Sequence, residues 1–240
     1  MQPTLAVRAA EAGKHLVLEK PLALDMAAAD AVVDSVAAAG VASVVFLTYR
    51  FDEQTAAWLH TMQELAAAHG PWEGALSGWT GCIDLPDSPY AQSTWRRARG
   101  GLWDWGPHAL SVLDALMPGV ERVAATRGVR DTVNLNLEHR GGRGSASSLT
   151  VTAAAGGVGT FLLVWGPGGR HQLPPLSGSY VSTYSRAIDQ LLASGTTDAR
   201  HLLDVAYARD LGRVLDAAER YLDRPVDART VAVSVLETPG

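Results

Sequence analysis

The sequence predicts an α/β unit closing a doubly wound parallel sheet, followed by an α+β domain built on one large, open, mainly antiparallel sheet. Three observations predict it. Residues 15–49 read as strand, helix and strand, and the first strand, His15-Leu16-Val17-Leu18, is the unbroken apolar run of a parallel strand covered on both faces. Residues 120–164 hold four segments that alternate or run apolar between glycine-rich turns, as antiparallel strands do. Two helical patterns close the chain, and strand runs followed by helices indicate an α+β arrangement.

Each element has a local cause. Residues 5–12 form a short helix ended by Gly13, a residue that tolerates a left-handed cap. The strand at 15–18 stops at Pro21, which lacks a backbone donor and biases Lys20 to extended geometry. Asp25 caps a helix over 26–39, Gly40 closes it, and residues 41–49 make a second buried strand. A helix over 53–68 is stopped by Gly70-Pro71, a strand follows over 72–82, and residues 84–93 form a polar, proline-containing loop. Asp104 starts a helix that runs to Leu116 and ends at Pro118-Gly119. Strands are expected over 120–125, 131–139, 145–154 and 159–164, and helices over 182–193 and 198–222. The last helix carries Leu203, Tyr207, Leu211, Val214, Ala218 and Leu222 along one face. The expected boundary between the two units is residue 50: 1–50 is the end of a nucleotide-binding sheet, and 51–240 the substrate-binding and oligomerisation domain.

Composition narrows the function classes. The chain has 240 residues, 47% hydrophobic and 19% charged, as in an ordinary globular protein, with no apolar run near the ~20 residues of a membrane span. A net charge of −5 and a pI near 5.8 argue against a nucleic-acid partner. The single cysteine, Cys82, rules out an internal disulfide and fits a reducing, cytoplasmic setting. Met1-Gln2-Pro3-Thr4 leads into a helix pattern without the basic start of a signal peptide.

Two short stretches carry chemistry. Glu19-Lys20-Pro21 puts a lysine where a buried strand opens into a loop, the end at which open α/β sheets place ligands. An amine there can hydrogen-bond a reacting hydroxyl and stabilise alkoxide character, though many strand-end lysines are simply solvated. The second stretch is Gly100-Gly101-Leu102-Trp103-Asp104-Trp105-Gly106-Pro107-His108. Asp104 and His108, one helical turn apart, can converge on one small molecule, with the histidine as general base and the carboxylate orienting substrate or imidazole. The competing reading of Asp104 is a plain N-cap, supported by Pro107 in the first turn. A metal site is not expected, because no third ligand stands at a recognisable spacing. His15, His60, His69, His139, His171 and His201 are scattered. Arg50 and the Trp95-Arg96 pair are further candidates, an aromatic platform beside a guanidinium suiting a ribose, phosphate or sugar ring. Core packing for Trp95 and solvated ion pairs for the arginines are the alternatives. The glycine clusters at 142–147 and 166–169 read as hairpin turns, since a pyrophosphate loop must follow a strand and open a helix.

Both stretches, in this order, resemble the two signatures of the Gfo/Idh/MocA family of nicotinamide-dependent sugar and polyol oxidoreductases, and the likeness runs from Pro3 through the late helix. The resemblance implies a doubly wound Rossmann remnant, NAD or NADP as cofactor, and reversible hydride transfer at a secondary alcohol of a sugar or polyol. It assigns Lys20, Asp104 and His108 to catalysis, and Glu19, Lys20, Pro21, Arg50, Trp95 and Arg96 to the cofactor edge. It also implies a homo-oligomer formed through the outer face of the large sheet. Only 18 residues precede Glu19, whereas a strand-helix-strand nucleotide unit needs ~30 residues. A truncated form is therefore expected, and the competing function is a non-enzymatic protein that binds a sugar-like ligand or another subunit.

Overall fold

The computed structural model describes residues 1–85, 88–195 and 201–224. The chain opens with α1 (Gln2–Glu11), β1 (Leu16–Glu19), α2 (Met26–Ala39) and β2 (Ser43–Phe46). β1 and β2 pair in parallel, Leu16 opposite Ser43, with α2 as the crossover. The expected caps are in place: Asp25 accepts from the Ala28 N–H at 2.8 Å, and Gly40 ends the helix at φ 63°. Ala6 and Ala10 of α1 and Val32, Val33 and Val36 of α2 bury against Leu16, Leu18 and Val45. The β1 strand is tied down by the Gln2 amide, which donates to the Glu19 carbonyl at 2.7 Å and accepts from the Glu19 N–H at 3.0 Å.

The second strand is shorter than its apolar run predicts. After Phe46 the chain turns into α3 (Thr48–Phe51) and then α4 (Glu53–His69). The cause lies far along the chain. Buried Asp52 caps α4 by accepting from the Thr55 N–H, and its other oxygen accepts from the Ser177 and Gly178 N–H groups, all at 3.0 Å. That anchor holds residues 48 and 49 in α3 rather than in the strand.

A six-stranded sheet follows, ordered β4-β5-β6-β3-β7-β8. Its strands are β3 (Gly74–Thr80), β4 (Val120–Arg127), β5 (Val133–His139), β6 (Arg143–Thr150), β7 (Gly159–Gly166) and β8 (Gly169–Gln172). All pairings are antiparallel except β3 with β6. Both glycine clusters turn hairpins, β5 to β6 and β7 to β8, as expected; β8 itself is too short and polar to show in the pattern.

One face of this sheet packs Leu135, Leu137, Leu149, Leu162 and Val164 into the main core. The other face leaves Leu76, Phe161 and Trp165 at 45%, 41% and 42% exposure. Trp165 and Phe161 lie flat over Gly74 and Gly78, where an added Cβ would come within 2.3 and 2.4 Å of the rings. The late helices are α7 (Tyr180–Gly195) and α8 (Val205–Leu222). In α8 the buried stripe is Val205, Ala208, Leu211, Leu215, Ala218 and Leu222. It starts at Asp204, whose carboxylate accepts from the Tyr207 N–H at 2.9 Å; residues 198–200 of the expected helix lie outside the described residues.

The expected single helix from Asp104 is two: α5 (Thr94–Asp104) and α6 (Gly106–Leu116). Asp104 is the last residue of α5 rather than a cap on α6, so the N-cap reading is overturned. α5 itself kinks at Gly100 (φ 61°, ψ −161°), and at Gly101 an added Cβ would lie 2.5 Å from the Thr150 backbone. The kink is pinned by Asp131, which accepts from the Gly101 and Val151 N–H groups at 2.8 Å each, from Thr150 Oγ1 at 2.6 Å and from the Thr152 hydroxyl. Burial works against ionisation of Asp131, but these hydrogen bonds outweigh it and hold its pKa below the ordinary value. Asp131→Ala is expected to cost about 2–4 kcal/mol, since several donors to a charged acceptor are stranded together. The contribution is present above the ordinary aspartate range and fades as pH falls through the depressed value. Urea unfolding at several pH values checks both the size and the slope.

Candidate active site

The carboxyl ends of β1 and β2, the α5–α6 junction and the ends of β3, β6 and β7 in the large sheet enclose a cleft of about 1270 Å³. Glu19, Lys20, Pro21, Trp95, Arg96, Asp104 and His108 all line it, so residues far apart in the chain meet there. Lys20 Nζ donates to Asp104 Oδ1 at 2.5 Å and to the Asp104 carbonyl at 2.7 Å, across 84 positions of sequence. Arg96 Nε donates to the same carboxylate oxygen at 3.2 Å. The Arg96 guanidinium lies between two rings, 4.1 Å from the Tyr90 centroid and 4.4 Å from that of Trp95. Asp104 thus gathers two cations while its own side chain and that of Lys20 are each 11% exposed.

Burial pushes the Lys20 amine below its ordinary value; Asp104 opposes that through charge and hydrogen bond, and Arg96 reinforces it. An ammonium has three donors, and Asp104 engages two, which leaves one for the cleft. His108, in the first turn of α6 and 5% exposed, is held well below the usual histidine range, first by burial and then by the positive charge of Lys20 and Arg96. The imidazole is therefore neutral near neutral pH and able to accept a proton. Its Nδ1 has no hydrogen-bond partner, so no carboxylate holds the ring; Asp104 is turned to Lys20 and Arg96 instead.

Arg50 is not brought to the cleft. Its guanidinium donates to the Ser111 carbonyl at 2.8 Å and to the Tyr207 hydroxyl at 3.4 Å, tying α3 to α6 and α8. Glu19 does face the cleft, and accepts at 2.7 Å from the hydroxyl of Tyr180, which also lines it. Tyr49, Tyr90, Trp105 and Tyr180 line the cleft without having been singled out in the sequence, because nothing in their local pattern separates them from core aromatics. Among the described residues no three His, Cys, Asp or Glu side chains gather as a metal site. His139 is the buried exception among the scattered histidines, with Nε2 2.8 Å from Ser145 Oγ. No helix among the described residues is long and apolar enough to cross a membrane.

The model of the Gfo/Idh/MocA family, an oxidoreductase family with an NAD-binding Rossmann fold, matches residues 2–47. The resemblance to Gfo/Idh/MocA proteins holds. Solved structures share the architecture over nearly the whole chain. One is a putative myo-inositol dehydrogenase from Sinorhizobium meliloti, 21% identical, covering 97% of this chain and 78% of that one, with a TM-score of 0.77. A second is an NAD binding oxidoreductase from Klebsiella pneumoniae, 20% identical, covering 95% and 76%, with a TM-score of 0.78. A third is an aldose-aldose oxidoreductase from Caulobacter crescentus complexed with glycerol, 20% identical, covering 97% and 76%, with a TM-score of 0.73. No curated protein matches the sequence. The family model covers the small parallel sheet of β1 and β2, and the solved structures share the large sheet beside it as well.

Proposed function

We propose that this chain carries the cleft of an NAD(P)-dependent oxidoreductase acting on a secondary alcohol of a sugar or polyol. The observation that carries the reading is the convergence of Lys20, Asp104 and His108 on one cleft at the carboxyl end of β1. Neutral His108 takes the hydroxyl proton of the substrate. The remaining N–H of Lys20 stabilises the oxygen as negative charge builds on it, and Asp104, with Arg96 behind it, keeps the amine aimed. Nicotinamide, when bound, supplies the acceptor for the hydride that leaves the carbon as the carbonyl forms.

The cleft has the room and the donors for the nicotinamide end. At about 1270 Å³ it exceeds the ~300–1,000 Å³ of a typical single-ligand pocket, enough for a ring of cofactor beside a sugar-sized substrate. Glu19, Pro21, Trp95 and Arg96 all line it. No described strand opens a helix through a glycine-rich turn; β1 passes to α2 through Lys20-Pro21 and the Asp25 cap. The described residues therefore fit nicotinamide and its ribose but present no amide cradle for a pyrophosphate.

A second reading is a sugar-like ligand-binding or subunit-interaction protein without redox turnover. Residues 1–50 and 51–240 would be its nucleotide-side and substrate-side units, and the exposed face around Leu76, Phe161 and Trp165 a surface for a second copy. A cytoplasmic setting fits either reading. Calorimetry with NADH and NADPH, followed by absorbance assays with saturating NAD or NADP and a panel of sugars and polyols, separates them. The expected cofactor affinity is weaker than micromolar, and micromolar binding would overturn that. Reduction of cofactor with any member of the panel supports the oxidoreductase; sugar binding with no reduction favours the second reading.

A further inference from the structure

Two aromatic rings pack against His108, whose Nδ1 has no hydrogen-bond partner. Tyr49 meets the imidazole edge to face, centroids 5.7 Å apart and planes at 63°, and Trp105 is tilted against it at 5.9 Å and 55°. Trp79 closes the circle, 4.8 Å from Tyr49 and 6.0 Å from Trp105. Two corners of this ring of four are tethered. Trp79 Nε1 donates to Ser77 Oγ at 2.9 Å, itself 2.8 Å from Ser147 Oγ, and the Tyr49 hydroxyl donates to Thr160 Oγ1 on β7 at 3.0 Å.

The terminal torsion of histidine is broadly two-fold, and a flip exchanges ring nitrogens for carbons. A hydrogen bond to Nδ1 ordinarily selects one orientation. Here Nδ1 is sealed without a partner, so packing has to make the selection. The charged groups facing the ring are Lys20 from the loop after β1 and Arg96 from α5, with Asp104 between them. Tyr49, Trp79 and Trp105 add shape and no charge.

We propose that Tyr49 is a positioning residue for His108, its ring restricting the imidazole to one orientation and its bond to Thr160 fixing that ring. Because Tyr49 follows β2 and Thr160 belongs to β7, 111 positions away, the base is aimed only while the two sheets stay docked. The proposal rests on the reading of His108 as the general base, and its test separates the two.

Tyr49→Phe and Thr160→Val each remove the tether and keep the ring. Each is expected to lower kcat roughly three- to tenfold, the range set by one net hydrogen bond, with KM nearly unchanged. The double variant should fall no further than either single one, since both cut the same link. Tyr49→Leu removes the ring edge, and should also move the acid limb of the rate profile to higher pH and split or broaden the His108 ring signals in NMR of histidine-labelled protein. Thr160 is exposed, so Thr160→Val tests the idea even if Tyr49→Leu does not fold. Unchanged kcat and unchanged ring signals in Tyr49→Phe and Thr160→Val, alongside loss of activity in His108→Asn, overturn the positioning role alone. Full activity in His108→Asn brings down the base reading and this proposal with it.

Discussion

Replacing His108 by asparagine is expected to lower kcat by roughly 10²- to 10⁴-fold, the usual contribution of a positioned general base, with little change in substrate KM. The pH dependence follows from the sign of the shift. Burial and the cations of Lys20 and Arg96 lower the imidazole pKa, so the neutral, proton-accepting form persists below the ordinary histidine value of about 6.5. The acid limb of kcat/KM should therefore lie below that value. Arg96→Gln removes one of the two cations and should move the limb up. Stability follows the same linkage. An unfolded chain protonates this histidine near its ordinary value while the folded one does so only at lower pH, so folding stability falls as pH drops between the two. In His108→Asn that part of the slope disappears, which urea unfolding at a series of pH values would register. An acid limb unmoved by Arg96→Gln would count against the electrostatic account of this base.

Lys20→Met is expected to lower kcat by roughly 10²- to 10³-fold, comparable to losing one preorganised donor to a developing oxyanion. It also removes one of two cations from a nearly buried carboxylate. Asp104 keeps Arg96 Nε at 3.2 Å, so the stability cost should be about 1–3 kcal/mol rather than that of a wholly unpaired buried charge. Adding Asp104→Asn to Lys20→Met should recover stability without recovering activity, because the stranded charge is gone and the amine is still missing. A Lys20→Met variant with wild-type turnover would remove the amine from the reaction altogether.

The apolar runs of residues 15–18 and 41–49, the cap residues Asp25 and Gly40 and the glycine turns at 142–147 and 166–169 were enough to predict most elements. Each is set by neighbours within a few residues, through periodicity, a side-chain cap or a permitted left-handed turn. Where the expectation failed, the cause was remote. Residues 48–49 left the strand because Asp52 is bonded to Ser177 and Gly178. The helix expected to start at Asp104 split because Asp131 pins Gly101 to the end of β6. The run Trp95-Arg96-Arg97 showed no helical stripe, since Arg96 is satisfied by Asp104, Ser93 and the Tyr90 ring and Arg97 by Asp84 and the Ala91 carbonyl rather than by apolar burial.

The site divides the same way. Lys20, Asp104 and His108 stood out because strand ends, helical spacing and the flanking glycines and prolines are local features. Their meeting in one cleft, the turning of Asp104 toward Lys20 and Arg96 rather than His108, the diversion of Arg50 to the Ser111 carbonyl, and the circle that Tyr49, Trp79 and Trp105 close with the imidazole belong to the tertiary structure. By itself the sequence determined which groups could do chemistry and which segments would be helix or strand, because backbone geometry and side-chain spacing act over one or two turns. Only the packed structure decided which groups face one another, because that depends on how two sheets and their covering helices fill space, and a side chain takes the partner that burial leaves within reach.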